Sequence, residues 1–452
     1  MPWQERRFRI PAAIAHPVRL LPLTFLALIV LGTGLLALPV SRSGAGSPDL
    51  MTALFTSASA VTVTGLNTVD TGEYWSGFGQ GVIIVLVEIG GLGIIALATI
   101  LGLFAGGRLG LRTRLLAQTD MHVVSLGDVK PLFKRVAMTM FAFQAVTAVI
   151  LTLRYWTTYF DSFGYSAWHG IFDAVMAFNN AGFSLHDDSL AEYAGDYLVI
   201  LPMAVAVFFG AVGFPVLAEL YSGWKRPSAW TIHTRLTVWG SLGLLVIAST
   251  AFVIAEWNNP GTIGGLPVVD KLVTGVEGGI MTRSGGLASF DWGNVHPETL
   301  SLGIVMMFIG GGSASTAGGI KVTTFLVLAF VIFAELRGDR DVAIGARRIG
   351  SATIRTCLSL ALLAIGIVMI GAMLLMTFSD LANGPALFES ASAFGTVGLT
   401  TGITSSLNTP SQCVLVVLMF VGRVGTITAA SAFILRRKQP RFRLPEETPI
   451  IG

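Results

Sequence analysis

Four short segments of the chain share one pattern of residues around a glycine: Thr62-Val63-Thr64-Gly65-Leu66, Asn179-Asn180-Ala181-Gly182-Phe183, Arg283-Ser284-Gly285-Gly286-Leu287 and Gly395-Thr396-Val397-Gly398-Leu399. An apolar residue follows the last quoted glycine of each segment. A polar or acidic residue stands nine positions before that glycine, and these residues are Thr56, Asp173, Glu277 and Glu389. Because the internal offsets agree in all four copies, we interpret the segments as one structural unit repeated four times.

A second glycine-bearing apolar stretch follows each segment, and one more apolar span precedes it. The following stretches contain Gly90-Gly91-Leu92-Gly93, Gly210-Ala211-Val212-Gly213, Gly310-Gly311-Gly312 and Gly422-Arg423-Val424-Gly425. The pattern predicts a unit made of a helix, a half-spanning helix with a loop, and a second helix. We expect the four units at residues 1–105, 106–222, 223–336 and 337–452.

The composition indicates a membrane protein. Of the 452 residues, 53% are hydrophobic and 12% are charged, and the mean hydropathy is +0.73. Soluble domains carry about 25% charged residues, so this chain has too few charges for a water-facing surface. Runs near the length of about 20 residues that a spanning helix needs lie at Leu20–Val40, Gly79–Phe104, Val136–Leu153, Leu198–Leu220, Leu236–Ala255, Leu358–Phe378 and Val414–Leu435, with a longer run at Thr299–Glu335. The predicted fold is an all-α membrane protein with eight spanning helices and four re-entrant pore loops around one pseudo-fourfold pore.

The positions of the positive charges predict the orientation. Lys and Arg cluster at Arg108–Arg135, Lys225–Arg235, Arg337–Arg355 and Arg436–Arg443, whereas the loops 155–197 and 379–411 contain none. By the positive-inside rule, we expect a multi-pass plasma-membrane protein with both termini in the cytoplasm. A basic surface for nucleic acid is the rival interpretation. The regular alternation of the clusters with membrane spans argues against it, so no nucleic-acid partner is expected.

The sequence does not predict an enzyme. Cys357 and Cys413 lie at or in apolar stretches, and the six histidines are scattered without ligand spacing. There is no nucleophile–base pair and no strand, glycine loop and helix of the kind that binds a nucleotide. We therefore expect no catalytic residue, no organic cofactor and no metal other than a transported ion.

The four glycine segments are predicted to form a cation filter. Irregular backbone at membrane depth is tolerated where it is buried in protein or lines water, and its carbonyl oxygens can replace the hydration shell of potassium. The first and fourth segments are similar to the Thr-Val-Gly signature of potassium channels, and the other two depart from it, so the walls should be unequal. The predicted potassium-binding residues are Thr62, Val63, Thr64, Gly65, Asn179, Asn180, Ala181, Gly182, Arg283, Ser284, Gly285, Gly286, Gly395, Thr396, Val397 and Gly398.

Charged side chains near the predicted filter leave alternatives open. Asp173, Glu277 and Glu389 are expected to brace the loops, to add negative potential, or simply to pair behind the filter. Arg283 lies within the third loop, where a positive charge in the ion path would repel potassium. We expect it to turn away and to pair with an acid such as Glu277.

The third unit contains a helix that is too long for the membrane. Residues Thr299–Glu335 would extend about 55 Å as one helix, against a hydrocarbon core of about 30 Å. Small residues that form helices poorly interrupt its middle, which predicts a broken helix whose loop acts as a gate. A face of small residues for helix packing is the alternative. The predicted gate residues are Gly310, Gly311, Gly312, Ser313, Ala314, Ser315, Thr316, Ala317, Gly318, Gly319, Lys321 and Arg423.

Arg423 belongs to this prediction because it lies inside the last apolar span. A charge within the membrane is a functional candidate by default. Near the broken helix it would act as an electrostatic barrier or hydrogen-bond the loop in a closed position. The alternative is a salt bridge to an acid such as Glu88.

These residues taken together resemble the Ktr/Trk potassium-uptake family, and within it the Ktr-type membrane subunits, over about residues 15–440. The most specific matches are Gly310–Lys321 with Val322-Thr323-Thr324, the Gly422–Gly425 motif and the Arg283–Leu287 loop. Trk-type relatives carry two additional N-terminal spans. This chain reaches its first pore loop after one span, as the Ktr-type subunits do.

The resemblance implies channel-like potassium uptake, often stimulated by sodium, by a homodimer with one pore in each subunit. It further implies a separate cytosolic ring of nucleotide-binding subunits that responds to ATP and ADP. In the family, the segment that corresponds to Gly310–Gly319 is the gate, and the arginine that corresponds to Arg423 contributes to it. A transporter coupled to sodium or protons is the alternative, because broken helices and repeats also occur there. Four units of one orientation favour the channel-like arrangement.

Overall fold

The computed structural model describes residues 17–107, 129–345 and 347–425. The polypeptide folds into helices for most of this length. In chain order they are α1 (Pro17–Leu36), α2 (Leu50–Thr62), α3 (Thr71–Tyr74), α4 (Gly77–Gly107), α5 (Val129–Thr158), α6 (Phe163–Asn179), α7 (Tyr197–Val212), α8 (Phe214–Gly223), α9 (Ile232–Glu256), α10 (Val268–Ile280), α11 (Pro297–Phe308), α12 (Val322–Arg337), α13 (Ser351–Ser379), α14 (Asn383–Gly395) and α15 (Thr409–Phe420). Two five-residue π-helical segments follow α10 and α15, at Met281–Gly285 and Val421–Gly425.

The predicted helical architecture is confirmed, with one small addition. The two-residue strands β1 (Ala343–Ile344) and β2 (Arg347–Arg348) form an antiparallel hairpin in the predicted basic loop between α12 and α13. Gly345 between them has φ +60°, a value that the tight turns of hairpins favour. The exposed Arg348 pairs with Asp341 at 3.1 Å.

Each predicted apolar run coincides with one helix or, at Leu198–Leu220 and Thr299–Glu335, with two. Among the described residues, three helices are long and apolar enough to cross a membrane: Lys134–Thr158, Ile232–Glu256 and Ser351–Ser379. The bent pair α7 and α8 is a fourth candidate. Shorter apolar helices at Pro22–Leu36, Gly77–Leu92, Pro297–Phe308 and Thr409–Gly425 coincide with the other four predicted runs. The end of the last run, and the basic clusters from 108 to 128 and from 436 to 443, lie outside the described residues.

The expectation of one continuous helix over Leu198–Leu220 is wrong. The chain bends by 100° between α7 and α8. Gly213 at the bend has φ +97°, a conformation that glycine adopts without strain. Pro215, two residues later, lacks the N–H that a continuous helix would use and its ring clashes with the preceding turn. The bend places Gly213 against the carbonyl of Ser313, in the predicted gate.

Helices α2, α6, α10 and α14 precede the four glycine loops of the predicted filter, and we call them pore helices. The first two have a side-chain cap at the N-terminus: Asp49 accepts from the amide of Met51 at 3.0 Å, and Ser162 caps α6. Three of them end in a residue of left-handed conformation two positions before the filter glycine, namely Val63, Asn180 and Thr396. The third copy ends in a π-helical segment instead, so its loop leaves the helix differently.

Burial is arranged as expected for a protein in lipid. The pore helices lie at the centre, where Phe55, Phe172 and Phe388 are fully buried beside buried Ser, Thr and Glu side chains. The outer helices expose large apolar side chains, including Val246, Ile254 and Leu362. An apolar exterior around an interior that also contains polar side chains suits a bilayer, in which apolar side chains lose nothing by facing outward.

Candidate ion-permeation site

The four glycines of the predicted filter, Gly65, Gly182, Gly286 and Gly398, meet at one place. A Cβ added to each would come within 2.7 Å of the backbone of another loop. A Cβ on Gly65 would lie 2.1 Å from the amide nitrogen of Gly182, and one on Gly182 would lie 2.7 Å from the carbonyl oxygen of Gly286. A Cβ on Gly286 would lie 2.0 Å from the carbonyl oxygen of Val397, and one on Gly398 would lie 2.3 Å from that of Thr64. The loops therefore contact one another in chain order around a common centre. A side chain at any of these positions would push the backbones apart.

The first and fourth loops share a local geometry that the other two lack. The amide of Gly65 donates to the hydroxyl of Ser59 at 3.0 Å, and the amide of Gly398 donates to Ser392 at 3.2 Å. Each serine stands six residues before its glycine. Met176 and Ile280 take that position in the second and third copies and offer no hydroxyl. The four loops were predicted to be unequal, and the hydrogen bonds behind them differ in the same way: the first and fourth loops have the serine contact, and the second and third have no serine at that position.

The predicted filter residues divide into loop residues and helix ends. Thr62, Asn179 and Gly395 are the last residues of their pore helices. The carbonyl of Thr64 accepts from the amide of Gly182 at 3.2 Å, which joins the first and second loops.

Side chains link the second and third loops and stiffen the first. The side-chain amide of Asn180 and the hydroxyl of Ser284 lie 2.7 Å apart, which joins the second loop to the third. The hydroxyls of Thr62 and Thr64 lie 2.8 Å apart within the first copy. The side chain of Asn179, by contrast, turns away from the loops towards α4.

Two of the three acids nine residues before a filter glycine hydrogen-bond the segment that follows it. Glu277 accepts from the amide of Ser289 at 3.0 Å and from its hydroxyl. Glu389 accepts from the amide of Thr401 at 3.0 Å and from the hydroxyl of Thr404 at 2.8 Å. Both residues are fully buried. Each carboxylate therefore links the two ends of its loop.

The second copy uses a different set of partners for the same purpose. Asp173 accepts from the hydroxyl of Tyr155 at 2.8 Å and lies 3.1 Å from Nε2 of His186. The first copy has a threonine, Thr56, at this position. Its buried hydroxyl, like that of Thr68 beyond the loop, has no hydrogen-bond partner among the described residues. The first loop is thus the one without this brace.

The predicted pairing of Arg283 with Glu277 is wrong. Arg283 is buried and donates to the carbonyls of Ser241 and Gly310, both at 3.2 Å. Its planar fork of donors reaches two carbonyls at once. Glu277 is already engaged by Ser289, so neither group depends on the other. Arg283 instead ties the third loop to the start of the glycine-rich segment.

The predicted break in the third unit is confirmed, since α11 ends at Phe308 and α12 begins at Val322. The segment Gly310–Gly319 between them is irregular and lies against the second and fourth units. The amide of Gly312 donates to the carbonyl of Ala211 at 2.7 Å. A Cβ on Gly318 would lie 2.1 Å from the hydroxyl of Thr396. The segment is therefore enclosed between the bend at Gly213 and the fourth filter loop.

Two cationic side chains hold this segment through its carbonyls. Arg423 is buried and donates to the carbonyl of Thr316, and Lys321 donates to that of Ala317 at 2.6 Å. The alternative that Arg423 pairs with Glu88 is wrong. Hydrogen bonds to a charged donor are stronger than neutral ones, so these two contacts restrain the segment.

One contact recurs in three of the four units. Gly90, Gly210 and Gly422, which open the second glycine stretch of their units, pack against the carbonyl four residues before the filter glycine. A Cβ would lie 2.3 Å from Val61 O, 2.0 Å from Phe178 O and 1.9 Å from Phe394 O, respectively. In the third unit the corresponding Gly310 meets the carbonyl of Gly318 instead, because the helix is broken there.

Several residues of the site were not predicted. Ser59 and Ser392 share one offset from their glycines, and a comparison of the first and fourth copies would have found them. The Gly213 and Pro215 pair was a visible signal of the bend. Tyr155 and His186 have no counterpart in the other copies, so the sequence held no signal for their contact with Asp173.

Comparison with known proteins agrees with this geometry. Residues 1–443 match the family model described as TrkH, cation transport protein. The chain belongs to the TrkH family of cation transport proteins. The family resemblance inferred from the four loops and the broken helix is therefore confirmed.

Relatives within the TrkH family match along almost the whole chain. The Ktr system potassium uptake protein B of Bacillus subtilis (strain 168) is 38% identical over 96% of this chain and 97% of its own. The protein of the same name from Vibrio alginolyticus is 33% identical over 96% and 94%. The potassium/sodium uptake protein NtpJ of Enterococcus hirae is 31% identical over 96% and 97%.

A solved structure shares the fold. The potassium transporter TrkH from Vibrio parahaemolyticus superposes with a TM-score of 0.75 at 18% identity, and the match covers 96% of this chain and 87% of that one. At 18% identity, the match shows only that the two chains share a fold.

Proposed function

We propose that the chain is the pore-forming subunit of a potassium uptake system. The observation that carries the proposal is the convergence of four glycine loops, from widely separated parts of the chain, on one centre. The functions for which two relatives are named, potassium uptake and potassium/sodium uptake, support it. If the loops move apart to admit an ion, their carbonyl oxygens would replace the water molecules around it.

The proposed path selects ions at the four loops. Gly65 and Gly398 have φ of +94° and +98°, which L side chains rarely adopt. The residues that precede them contribute carbonyls at Thr64 and Val397, which already face neighbouring loops. Hydrogen bonds to Ser59 and Ser392 hold these two loops from behind. The second and third loops have different supports, which favours modest rather than stringent selectivity.

The proposed gate is the segment Gly310–Gly319 with Lys321 and Arg423. It lies directly beside the filter, as the contact of Gly318 with Thr396 indicates. Release of the Arg423 contact to Thr316 would free a segment whose residues have little preference for any one backbone conformation. A stripe of small residues used only for packing would not need two cationic side chains on its carbonyls, one of them, Arg423, buried.

The proposed architecture has four units of one orientation, at residues 1–105, 106–222, 223–336 and 337–452, around a single pore. The first three boundaries fall within the last turns of α4, α8 and α12. An even number of spans and the basic clusters favour a multi-pass plasma-membrane protein with both termini in the cytoplasm. In three units a glycine packs against the carbonyl that lies four residues before the filter glycine. This shared contact supports the interpretation of the units as repeats of one structure.

The proposed assembly is a homodimer that works with a separate cytosolic ring of nucleotide-binding subunits. Two relatives are named as components of a Ktr system, which supports a partner for this chain. Control by ATP or ADP would then reach the gate from the cytoplasmic side. Sodium is a second candidate ion, because one relative is named a potassium/sodium uptake protein.

Transport by the purified protein tests the proposal. Proteoliposomes with the full chain should take up a potassium tracer, and external sodium should compete much less well than potassium. Addition of a cytosolic nucleotide-binding partner should change the rate without changing this preference. Absence of potassium uptake under all these conditions contradicts the proposal. Uptake that moves sodium or protons in fixed proportion to potassium would support a coupled transporter instead.

A further inference from the structure

A carboxylate on α4 connects the first unit to the second. One oxygen of Glu88, Oε1, accepts from Nε2 of Gln144 at 2.6 Å and from Nδ2 of Asn179 at 3.3 Å. Gln144 belongs to α5, and Asn179 is the last residue of the second pore helix, α6. A single oxygen atom of the first unit thus contacts two helices of the second.

This pair of residues is poorly satisfied for a purely structural contact. The other oxygen of Glu88, Oε2, and Oδ1 of Asn179 are both buried without a hydrogen-bond partner within the described residues. The ion pairs found in that part of the chain do not include Glu88. Buried polar atoms without partners destabilise a fold. Stability alone therefore does not account for a carboxylate here.

The repeat does not require a carboxylate at this position either. Glu88 stands two residues before Gly90, the first glycine of its stretch. The corresponding residues of the other three units are Phe208, Phe308 and Phe420. Since three units fold with phenylalanine at this point, the acid is a special feature of the first unit, where it faces Asn179.

Asn179 connects this contact to the second filter loop. It stands three residues before Gly182 and directly precedes Asn180, whose side chain contacts Ser284 of the third loop. Its own Nδ2 also donates to the carbonyl of Val175 at 3.0 Å. A Cβ on Gly91 would lie 2.1 Å from Oδ1 of Asn179, so α4 approaches this side chain closely. Glu88 and α4 together fix the orientation of the helix end from which the loop departs.

We propose that Glu88 is a positioning residue for ion selectivity, which acts by holding the side chain of Asn179 against α4. The proposal rests on the proposed function of the four loops as a filter. Loss of the hydrogen bond would let the end of α6 shift, and the second loop would move relative to its neighbours. Discrimination between potassium and sodium depends on the number and placement of carbonyls around the ion, so it should weaken.

Ion competition in proteoliposomes provides the test. The readout is the ratio of the sodium and potassium concentrations that halve the uptake of tracer rubidium. Glu88→Leu should lower this ratio by about two- to tenfold, the range that corresponds to one net hydrogen bond. Glu88→Gln should keep the ratio, because its carbonyl oxygen still accepts from both amides. Asn179→Ala should lower the ratio as Glu88→Leu does.

Matched controls separate positioning from a general loss of packing. Phe208→Leu changes the corresponding position of the second unit and should leave the ratio unchanged. The double variant Glu88→Leu with Asn179→Ala should be no worse than the worse single variant, because both remove the same contact.

The outcomes are distinct. A native ratio in Asn179→Ala, or in a Glu88→Leu protein that elutes as the native assembly does, overturns the inference. An equal loss in Glu88→Gln also overturns it, because charge rather than the hydrogen bond would then matter. If Glu88→Leu does not fold, Glu88→Gln and Asn179→Ala still decide the question. A wild-type protein without any preference for potassium contradicts the proposed function itself.

Discussion

Arg423 donates a hydrogen bond to the carbonyl of Thr316, a residue that precedes it by 107 positions. Both residues are buried, and the contact joins the last described helical segment to the middle of the broken helix. The contact fixes the glycine-rich segment to a part of the molecule that carries the fourth filter loop. We therefore expect a displacement of either part to act on the other.

Arg423→Ala should raise the rate of ion uptake. Removal of a charge-assisted hydrogen bond changes the balance of closed and open states by about 1.5–3 kcal/mol, which corresponds to roughly ten- to hundredfold. The measurement is tracer uptake by proteoliposomes in the absence of any cytosolic partner. Arg340→Ala, at an exposed position, is the control and should behave as the wild type. A wild-type rate in correctly assembled Arg423→Ala would show that the contact does not restrain the gate.

Gly398→Ser should weaken the preference for potassium over sodium. The added Cβ would lie 2.3 Å from the carbonyl of Thr64, and φ of +98° is strained for serine. Both effects displace two filter loops at once. Ion competition in the same uptake assay measures the change. Gly243→Ala, which has no atom within 4 Å of the new Cβ, should leave the preference intact; equal behaviour of the two variants contradicts the filter assignment.

Glu389→Ala should destabilise the protein by about 1–3 kcal/mol, because the amide of Thr401 and the hydroxyl of Thr404 lose their buried acceptor. Thermal unfolding in detergent, followed by size-exclusion chromatography, measures the effect. Asp380→Asn is the comparison, since Asp380 is exposed and asparagine also tolerates its left-handed backbone. If both variants unfold at the same temperature, the acid does not brace the fourth loop.

His186 should stabilise the protein more at low pH than at high pH. Burial alone would lower the pKa of its imidazole, but Asp173, with smaller contributions from Glu192 and Asp187, raises the pKa above its ordinary value of 6.5. A raised native pKa gives stabilisation that is complete below 6.5 and is lost as the pH rises through the native pKa.

The difference in unfolding temperature between wild type and His186→Asn should therefore shrink as the pH increases. His296→Asn, at an exposed histidine, should show a difference from wild type that does not follow this trend. A His186 difference that stays constant or grows with pH would contradict a charged pair with Asp173.

Gly213→Ala should destabilise the bend between α7 and α8. With φ of 97° and ψ of 147°, a residue with a side chain would be strained by about 1–3 kcal/mol, and the new Cβ would lie 2.7 Å from the carbonyl of Ser313. Because Ser313 belongs to the proposed gate, uptake should change together with thermal stability. Gly223→Ala in α8 has open space and no positive φ, so it should affect neither. Equal stability of the two variants would exclude strain at Gly213.

Local patterns in the sequence carried the prediction of the helices and of the broken span. Apolar runs and the glycine-rich segment at 310–319 depend on composition over a short window, and the structure has helices and a break at those places. The bend at Gly213 escaped because the apolar run continues through it, although Gly213 and Pro215 both disfavour a straight helix.

Partners in space were harder to predict than elements along the chain. Because opposite charges attract, Arg283 was expected to pair with an acid such as Glu277, and a salt bridge to an acid such as Glu88 was the alternative for Arg423. Both arginines instead donate to backbone carbonyls, and every residue has one, so the sequence gives no indication of which will be used. Asn179 was assigned to the filter from its offset alone, yet its side chain faces α4. An offset places a residue on a helix but does not orient the side chain.

The unpaired hydroxyls of Thr56 and Thr68 have a mechanical consequence. Three of the four loops of the predicted filter are cross-linked from behind by a carboxylate, and within the described ranges the first loop has no such link. For the same force, the loop with the fewest hydrogen bonds behind it is displaced furthest. We therefore expect the thermal motion of the four loops to be largest in residues 62–65. The opening between the loops would then widen by movement of the first loop and not by equal movement of all four.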